Sequence, residues 1–241
     1  ELKLADLRAT ARRAGGRIPA WLMNSVATDT ATQRLLAELP DGLGAGVGTF
    51  AQFVSLRLDP AGDLFLGKEG APSPYAPGHG DLTDALRGAA TVAPLPDGPS
   101  GSSARPATLT AMAQGGVRTV VMSNVDNLAA GVDPVLVGRH LAEGAQMTVE
   151  VVRKERGDKG GAPAWLEGRL QIVEGMRFPP AFDQDSIPVF NTNTFLLDRA
   201  ALDREFPLDL FFARKSVDGR DAVQFERLAG QLTAHLRTLY V

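Results

Sequence analysis

The chain has 241 residues, with 25 Lys+Arg against 28 Asp+Glu, a formal net charge of −3 and no cysteine. That length gives room for one large α/β domain or two small ones, while zero cysteine excludes a disulfide framework and a cysteine-based zinc site. The near-neutral charge argues against a general nucleic-acid binder, and 44% hydrophobic residues exclude wholesale disorder.

In chain order, Leu2, Leu4, Leu7 and Ala11 recur at helical spacing, and Gly15-Gly16 closes that helix. Ile18 to Met23 is a nearly continuous apolar run, as in a strand buried on both faces. Thr28-Asp29 opens a helix to about Leu39, ended by Pro40-Asp41-Gly42, and Val47 to Phe53 forms another buried strand. Residues 56–58 and 63–66 flank Asp59-Pro60-Ala61-Gly62 as a hairpin, and Lys68 to Pro77 is loop. A helix opens at Asp81, and the Pro-, Gly- and Ser-rich stretch 93–106 is expected to be a flexible insertion. Val117 to Ser123 is the clearest strand, followed by a helix over 133–143 and a strand over 147–152. Short strands follow at 165–166, 170–173, 189–191, 195–197 and 210–213, with helices near 199–204 and 222–239. This alternation predicts an α/β fold with a mixed, mostly parallel sheet flanked by helices, its ligands beyond the carboxyl ends of the strands. No apolar run approaches the ~18 residues of a membrane span. Glu1-Leu2-Lys3-Leu4 has no signal-peptide character, so a soluble, cytoplasmic protein is expected.

The polar residues that follow strands are the candidates for chemistry. Asp126, in Ser123-Asn124-Val125-Asp126-Asn127, suits a hard cation such as Mg²⁺, which takes one or two carboxylates plus ligand phosphates, and equally suits capping of the next turn. In Gly78-His79-Gly80 the missing Cβ atoms allow close approach to a ligand, or simply a turn into the helix at Asp81. Gln52 and Asn124 each offer a paired donor and acceptor, complementary to a pyrimidine edge or to loop backbone. Only five basic residues are lysines. Lys159 beside Gly160-Gly161 and Lys215 after a strand are placed for phosphate, Lys3 and Lys154 read as solvated edges, and Lys68 lies in a loop. Gly44-Ala45-Gly46-Val47-Gly48 precedes a strand instead of following one, so it is no dinucleotide fingerprint. His140 and His235 lack metal-ligand spacing.

Leu22-Met23-Asn24-Ser25, the Gln52 segment, Pro77-Gly78-His79-Gly80-Asp81, Ser123-Asn124-Val125-Asp126-Asn127-Leu128, Lys159-Gly160-Gly161, Glu167-Gly168-Arg169-Leu170 and Phe190-Asn191-Thr192-Asn193 stand in this order along the chain. Together with Lys215, Val217-Asp218-Gly219 and Gln224-Phe225-Glu226, this series resembles the UTP–glucose-1-phosphate uridylyltransferase family over about residues 2–240. The resemblance implies a Rossmann-like nucleotidyltransferase domain over 1–241 that joins UTP and glucose 1-phosphate into UDP-glucose and pyrophosphate, with Mg²⁺ as cofactor. By the same resemblance Gln52, Gly78 and Asn124 hold the uridine, Asp126 binds Mg²⁺ and phosphates, and His79 lies near the sugar phosphate. Gly160, Glu174, Phe190, Asn191 and Asn193 line the sugar pocket, with Lys215, Lys159 and His79 as the catalytic set.

The family pattern also includes a strand and a Gly-rich loop with a lysine ahead of the 2–13 helix, and a Pro-Val-Lys segment beyond the position of Val241. Neither is in this sequence, which is therefore expected to be the middle of a larger catalytic domain with little activity alone. Two other readings fit the same motifs: a pyrophosphorylase for N-acetylhexosamine 1-phosphate or several sugar 1-phosphates, and a non-catalytic nucleotide-sugar-binding regulatory homologue. Oligomeric state is not legible in these residues.

Overall fold

β-branched and aromatic runs of this sequence form strands, and its periodic Ala- and Leu-rich stretches form helices, as local preference favours. The computed structural model describes residues 1–88, 107–155, 157–158 and 160–241, so the expected 93–106 insertion and Lys159 lie outside the described residues. In chain order the first elements are α1 (Leu2–Arg13), β1 (Trp21–Asn24), α2 (Asp29–Glu38), β2 (Gly48–Ala51), β3 (Ser55–Leu56) and β4 (Pro74–Tyr75). Then come α3 (Leu82–Leu86), α4 (Thr108–Gln114), β5 (Thr119–Met122), α5 (Pro134–Ala142), β6 (Met147–Arg153), β7 (Ala162–Leu166) and β8 (Arg169–Val173). The last are β9 (Val189–Asp198), β10 (Phe211–Val217), β11 (Arg220–Glu226) and β12 (Thr238–Tyr240).

These elements form two compact units. The first holds Glu1, residues 18–112 and residues 208–228. Within it β1 and β2 pair in parallel across the α2 crossover, from Trp21–Gly48 to Asn24–Ala51. β10 and β11 form a hairpin through Asp218-Gly219, both at positive φ, the backbone a two-residue turn demands. The expected 56–66 hairpin is present, and its Leu58 also bridges to Val223 of β11. Phe65, Tyr75, Leu82, Leu86, Leu109 and Met112 are buried in this unit.

The second unit holds residues 2–17, 113–207 and 229–241. Its four-stranded sheet runs β12-β6-β9-β5, with Met147, Val149, Phe195 and Leu197 fully buried. The buried 3-10 turn Ala229–Ala234 is tied to β8 by Thr233, whose hydroxyl oxygen accepts from the Ile172 N–H at 2.8 Å.

A mixed α/β arrangement is therefore found, but parallel pairing does not dominate it among the described residues. β1–β2 and β6–β12 are parallel and the other five strand pairs antiparallel. The reason is that β3 and β4, β10 and β11, and β6 to β9 follow one another without an intervening α-helix, and strands lacking a crossover helix pair antiparallel. Three further expectations are corrected. Residues 222–239 are not a helix: they form the end of β11, the 3-10 turn and β12. Their apolar repeat reflects burial on all sides, as at Ala229, Gly230, Leu232 and Thr233, instead of one helical face. β1 and β2 are half-buried, since a two-stranded sheet leaves part of each face uncovered. The segments 189–191 and 195–197 join into one strand, β9, which carries a bulge between them. No helix of the described residues is long and apolar enough to cross a membrane.

Candidate functional site

In the first unit the residues following β2 meet the glycine loop. Gln52 extends the ladder, its N–H donating to the Asn24 carbonyl at 2.8 Å, while its side-chain Nε2 donates to the Gly78 carbonyl at 2.9 Å. One amide N–H of Gln52 thus serves loop backbone. Gly78 has φ 92°, and a Cβ there would run into the carbonyl oxygen of Arg227. At Gly80 a Cβ would lie 2.6 Å from the Leu228 nitrogen. Backbone bonds lock the contact: Gly80 N–H to Arg227 O at 2.9 Å and Arg227 N–H to Pro77 O at 2.7 Å. The missing Cβ atoms therefore serve close packing on the end of β11, a need that the ligand-approach reading did not include.

His79 sits between those glycines, half-buried, and burial holds its pKa below the usual histidine value while the Glu226 carboxylate pulls the other way. Asp81 is 1% exposed and accepts the Phe53 N–H at 3.2 Å. Burial pushes its carboxyl up to about 6 against the opposing Arg227 charge. Lys215 lies inside β10, not after it, on the same face as its register neighbours Ala213 and Gln224. Its Nζ stands 3.1 Å from Glu226 Oε1, and Glu226 also accepts from Gln224 Nε2 at 3.3 Å. Arg57 completes the row, donating through Nε to Gln224 Oε1 at 2.8 Å.

In the second unit, β5 ends at Met122, paired with Phe195, so the loop from Ser123 leaves the sheet beside the β9 bulge. Asn124 and Asp126 are exposed on this loop. Asp133 caps α5, accepting the Val135 N–H at 2.7 Å, and Asn127 Oδ1 accepts the Ala130 N–H at 3.2 Å. The loop closes on Lys3, whose Nζ donates to Ser123 Oγ, Asn124 O, Asn127 O and Ala130 O over 2.7–3.1 Å. Lys3 is thus no solvated edge, and neither is Lys154, which donates to Gln184 O at 3.0 Å and lies 3.2 Å from Asp185.

The bulge itself presents Asn191-Thr192-Asn193. Asn193 adopts φ 58°, a left-handed conformation that asparagine tolerates better than most residues. Asn191 fixes it: Asn191 Oδ1 accepts the Asn193 N–H at 2.9 Å, and Asn191 Nδ2 donates to Asn193 Oδ1 at 3.0 Å. The Asn191 N–H donates to Gly161 O at 2.8 Å, and a Cβ built on Gly160 would lie 3.1 Å from the Phe190 ring. A Cβ on Gly161 would stand 3.0 Å from the Glu174 carboxylate, whose pKa burial raises. Gly160, Glu174, Phe190, Asn191 and Asn193 thus lie in one cluster.

The structure joins Gln52, Gly78, His79 and Lys215 to residues that sequence reasoning passed over. Glu226 has no role assigned from sequence because the periodicity over 222–239 predicts helix, and Arg57 has none because its partner Gln224 lies in that same stretch; Asp218-Gly219 between apolar runs is itself a hairpin signal. No group of three or more His, Cys, Asp or Glu among the described residues makes a metal cage. An exposed single carboxylate at Asp126 still fits Mg²⁺, which is commonly held by one or two carboxylates and substrate phosphates.

Comparison with known proteins gives a consistent result. The profile of a family described as UTP–glucose-1-phosphate uridylyltransferase matches residues 1–240. The UTP–glucose-1-phosphate uridylyltransferase of Musa acuminata is 27% identical over 244 residues, covering 95% of this chain and 48% of that protein. The solved UDP-glucose phosphorylase of Trypanosoma brucei superposes with a TM-score of 0.81 at 21% identity, over 100% of this chain and 53% of that one. A mutant UDP-glucose pyrophosphorylase of Leishmania major, solved in complex with UDP-glucose, gives 0.77 at 21% identity, over 100% and 55%. These structural likenesses establish a shared fold. The chain spans about half the length of the curated relatives it matches.

Proposed function

The chain belongs to the UTP–glucose-1-phosphate uridylyltransferase family, and we propose that the whole protein transfers a uridylyl group from UTP to glucose 1-phosphate, as a nucleotidyltransferase domain that includes residues 1–241. The observation that carries this reading is the family match across residues 1–240. In the reaction a phosphate oxygen of glucose 1-phosphate attacks the α-phosphorus of UTP. The bond to the β-phosphate bridging oxygen breaks, and pyrophosphate leaves in line with the electron pair. Such a step needs alignment and charge neutralisation more than covalent catalysis.

Each residue then has a task. By the family resemblance the Gln52 amide and the Gly78 backbone, and likewise the Asn124 amide, are assigned to the uridine, and hydrogen bonding to a base edge penalises a base that leaves such groups unpaired. The bond from Gln52 Nε2 to Gly78 O, which restrains that amide, supports the assignment. Asp126 would hold Mg²⁺, and the ion would supply neutralisation of phosphate charge. Lys215 offers its ammonium to phosphate by leaving Glu226, an exchange made easy by its half-exposed position. Lys159 is assigned to phosphate from the sequence alone, by its place beside Gly160-Gly161 and by the family resemblance. His79, which burial biases toward the neutral imidazole, accepts or donates a hydrogen bond at the sugar phosphate. Gly160, Glu174, Phe190, Asn191 and Asn193 take the sugar, with the Asn191–Asn193 bonds fixing donors and acceptors for hydroxyls.

The test is pyrophosphate release by the full-length protein with UTP and Mg²⁺ and a panel of sugar 1-phosphates. Glucose 1-phosphate is expected to be the best acceptor. Asp126→Asn is expected to cut turnover roughly 100-fold or more, and Gln52→Ala to raise the KM for UTP and relax the preference for UTP over CTP. N-acetylglucosamine 1-phosphate as sole acceptor would move the assignment to the N-acetylhexosamine enzymes. No release with any sugar would leave a nucleotide-sugar-binding protein.

A further inference from the structure

We propose that Lys3 is a positioning residue that sets the loop carrying Asn124 and Asp126, acting through the loop's backbone and not on substrate. Its consequence for turnover rests on the proposed uridylyl transfer; its effect on the loop does not.

Four oxygens converge on the Lys3 ammonium: Ser123 Oγ at 2.8 Å, Asn124 O at 3.1 Å, Asn127 O at 2.7 Å and Ala130 O at 3.0 Å. All belong to residues 123–130. Two successive turns make up this stretch, closed by Asn127 N–H to Asn124 O at 3.2 Å and Ala130 N–H to Asn127 O at 3.3 Å. The carbonyls that close the turns are the ones Lys3 takes. One cation therefore pins both turns to a single point. Asp126 is the third residue of the first turn, so the place of its carboxylate follows from that turn. α1 also comes close to the residue after the loop: a Cβ built on Gly131 would lie 3.3 Å from Asp6 Oδ2.

The chemistry asks for lysine. The converging oxygens are met by a compact ammonium whose three rotatable N–H donors serve the four acceptors with one N–H shared, whereas the arginine fork spreads its donors over a plane. A neutral side chain would leave the ring of oxygens repelling one another. Desolvation lowers the Lys3 pKa, and the charges of Asp126 and Asp6 oppose that shift, so both carboxylates act on the ammonium.

The experiment uses the full-length protein with Lys3→Met, Lys3→Arg, and Lys3→Cys alkylated with bromoethylamine to restore an ammonium at the same reach. Wild-type protein given the same reagent is the control. Two readouts are taken: amide hydrogen exchange over residues 123–131, and kcat with KM at saturating Mg²⁺. Lys3→Met is expected to raise exchange in that stretch about tenfold, the loss of one net hydrogen bond's worth of protection. It should lower kcat about tenfold while leaving the KM for UTP within about threefold, the mark of lost alignment. Alkylated Lys3→Cys should restore both, and Lys3→Arg should restore neither. Wild-type exchange in Lys3→Met overturns the proposal, as does raised exchange with wild-type kcat. If the wild-type protein transfers no uridylyl group, the functional reading fails and the exchange comparison alone decides on Lys3. If Lys3→Met does not fold, Lys3→Arg supplies that comparison, and protection equal to wild type overturns the proposal.

Discussion

The loops at 77–81 and 123–130 both carry proposed substrate contacts, and they are built by opposite means. At 77–81 the chain omits side chains: Gly78 and Gly80 let backbone lie on Arg227, and the acid that follows, Asp81, is 1% exposed. At 123–130 the loop is open to water, with Val125 73% and Leu128 62% exposed, and one added side chain, Lys3, ties it together. The first loop is inseparable from the packing of its unit. The second hangs on one cation, so it can be loosened without dismantling the core. Family motifs of equal prominence in the sequence thus differ in what a mutation reports, fold in one case and alignment in the other.

The widest gap between the loops should appear on adding one methyl group to each. In Gly80→Ala the new Cβ would lie 2.5 Å from the Arg227 carbonyl carbon, which backbone bonds on either side hold in place. The expected cost is about 3 kcal/mol in urea unfolding, at the upper end for overpacking. Gly131→Ala would meet only the far end of the Asp6 side chain at 3.3 Å, which can swing away, so about 0.5 kcal/mol is expected. Equal costs would break the distinction. Next in size is a pH effect confined to the first loop. Asp81 has a folded pKa of about 6 against an ordinary 3.8, so the folded state holds its proton more tightly. That contribution is fully present below pH 4 and lost as pH rises through 6. Relative to Asp81→Asn, wild-type protein should lose roughly 2 kcal/mol of stability between pH 4 and 7. A pH-independent difference in melting temperature between the two would remove Asp81 as its source.

Much of this was legible beforehand, for local reasons. α2 ends at Pro40-Asp41-Gly42 and α5 starts on the Asp133 cap, both punctuated by residues with one structural use. Gly160, Glu174, Phe190, Asn191 and Asn193 lie together because they belong to short segments in or beside β8 and β9. What escaped depended on long-range pairing. The 222–239 segment has helical periodicity, yet Val223 and Gln224 answer to partners on β10 and in the 57–58 stretch. Lys3 looked solvated because its four acceptors lie more than a hundred residues away. Sequence spacing carries no trace of such a contact.

The smallest expected effect concerns the charges around His79. Glu226 raises its pKa while burial lowers it, and Glu226 also sits 3.1 Å from Lys215 Nζ. Glu226→Gln removes the raising charge but keeps the shape and an acceptor for Gln224. The His79 imidazole should then titrate at lower pH than in wild-type protein, followed by its Cε1–H signal in NMR; the chain has only three histidines to assign. Stability should change by less than about 1 kcal/mol, because Lys215 is 45% exposed and water screens the pair. An unmoved His79 titration would mean that Glu226 serves Lys215 alone. A lowered one would place histidine, glutamate and lysine in a single electrostatic unit, so that a phosphate drawing Lys215 away from Glu226 would leave the carboxylate freer to favour the protonated form of His79.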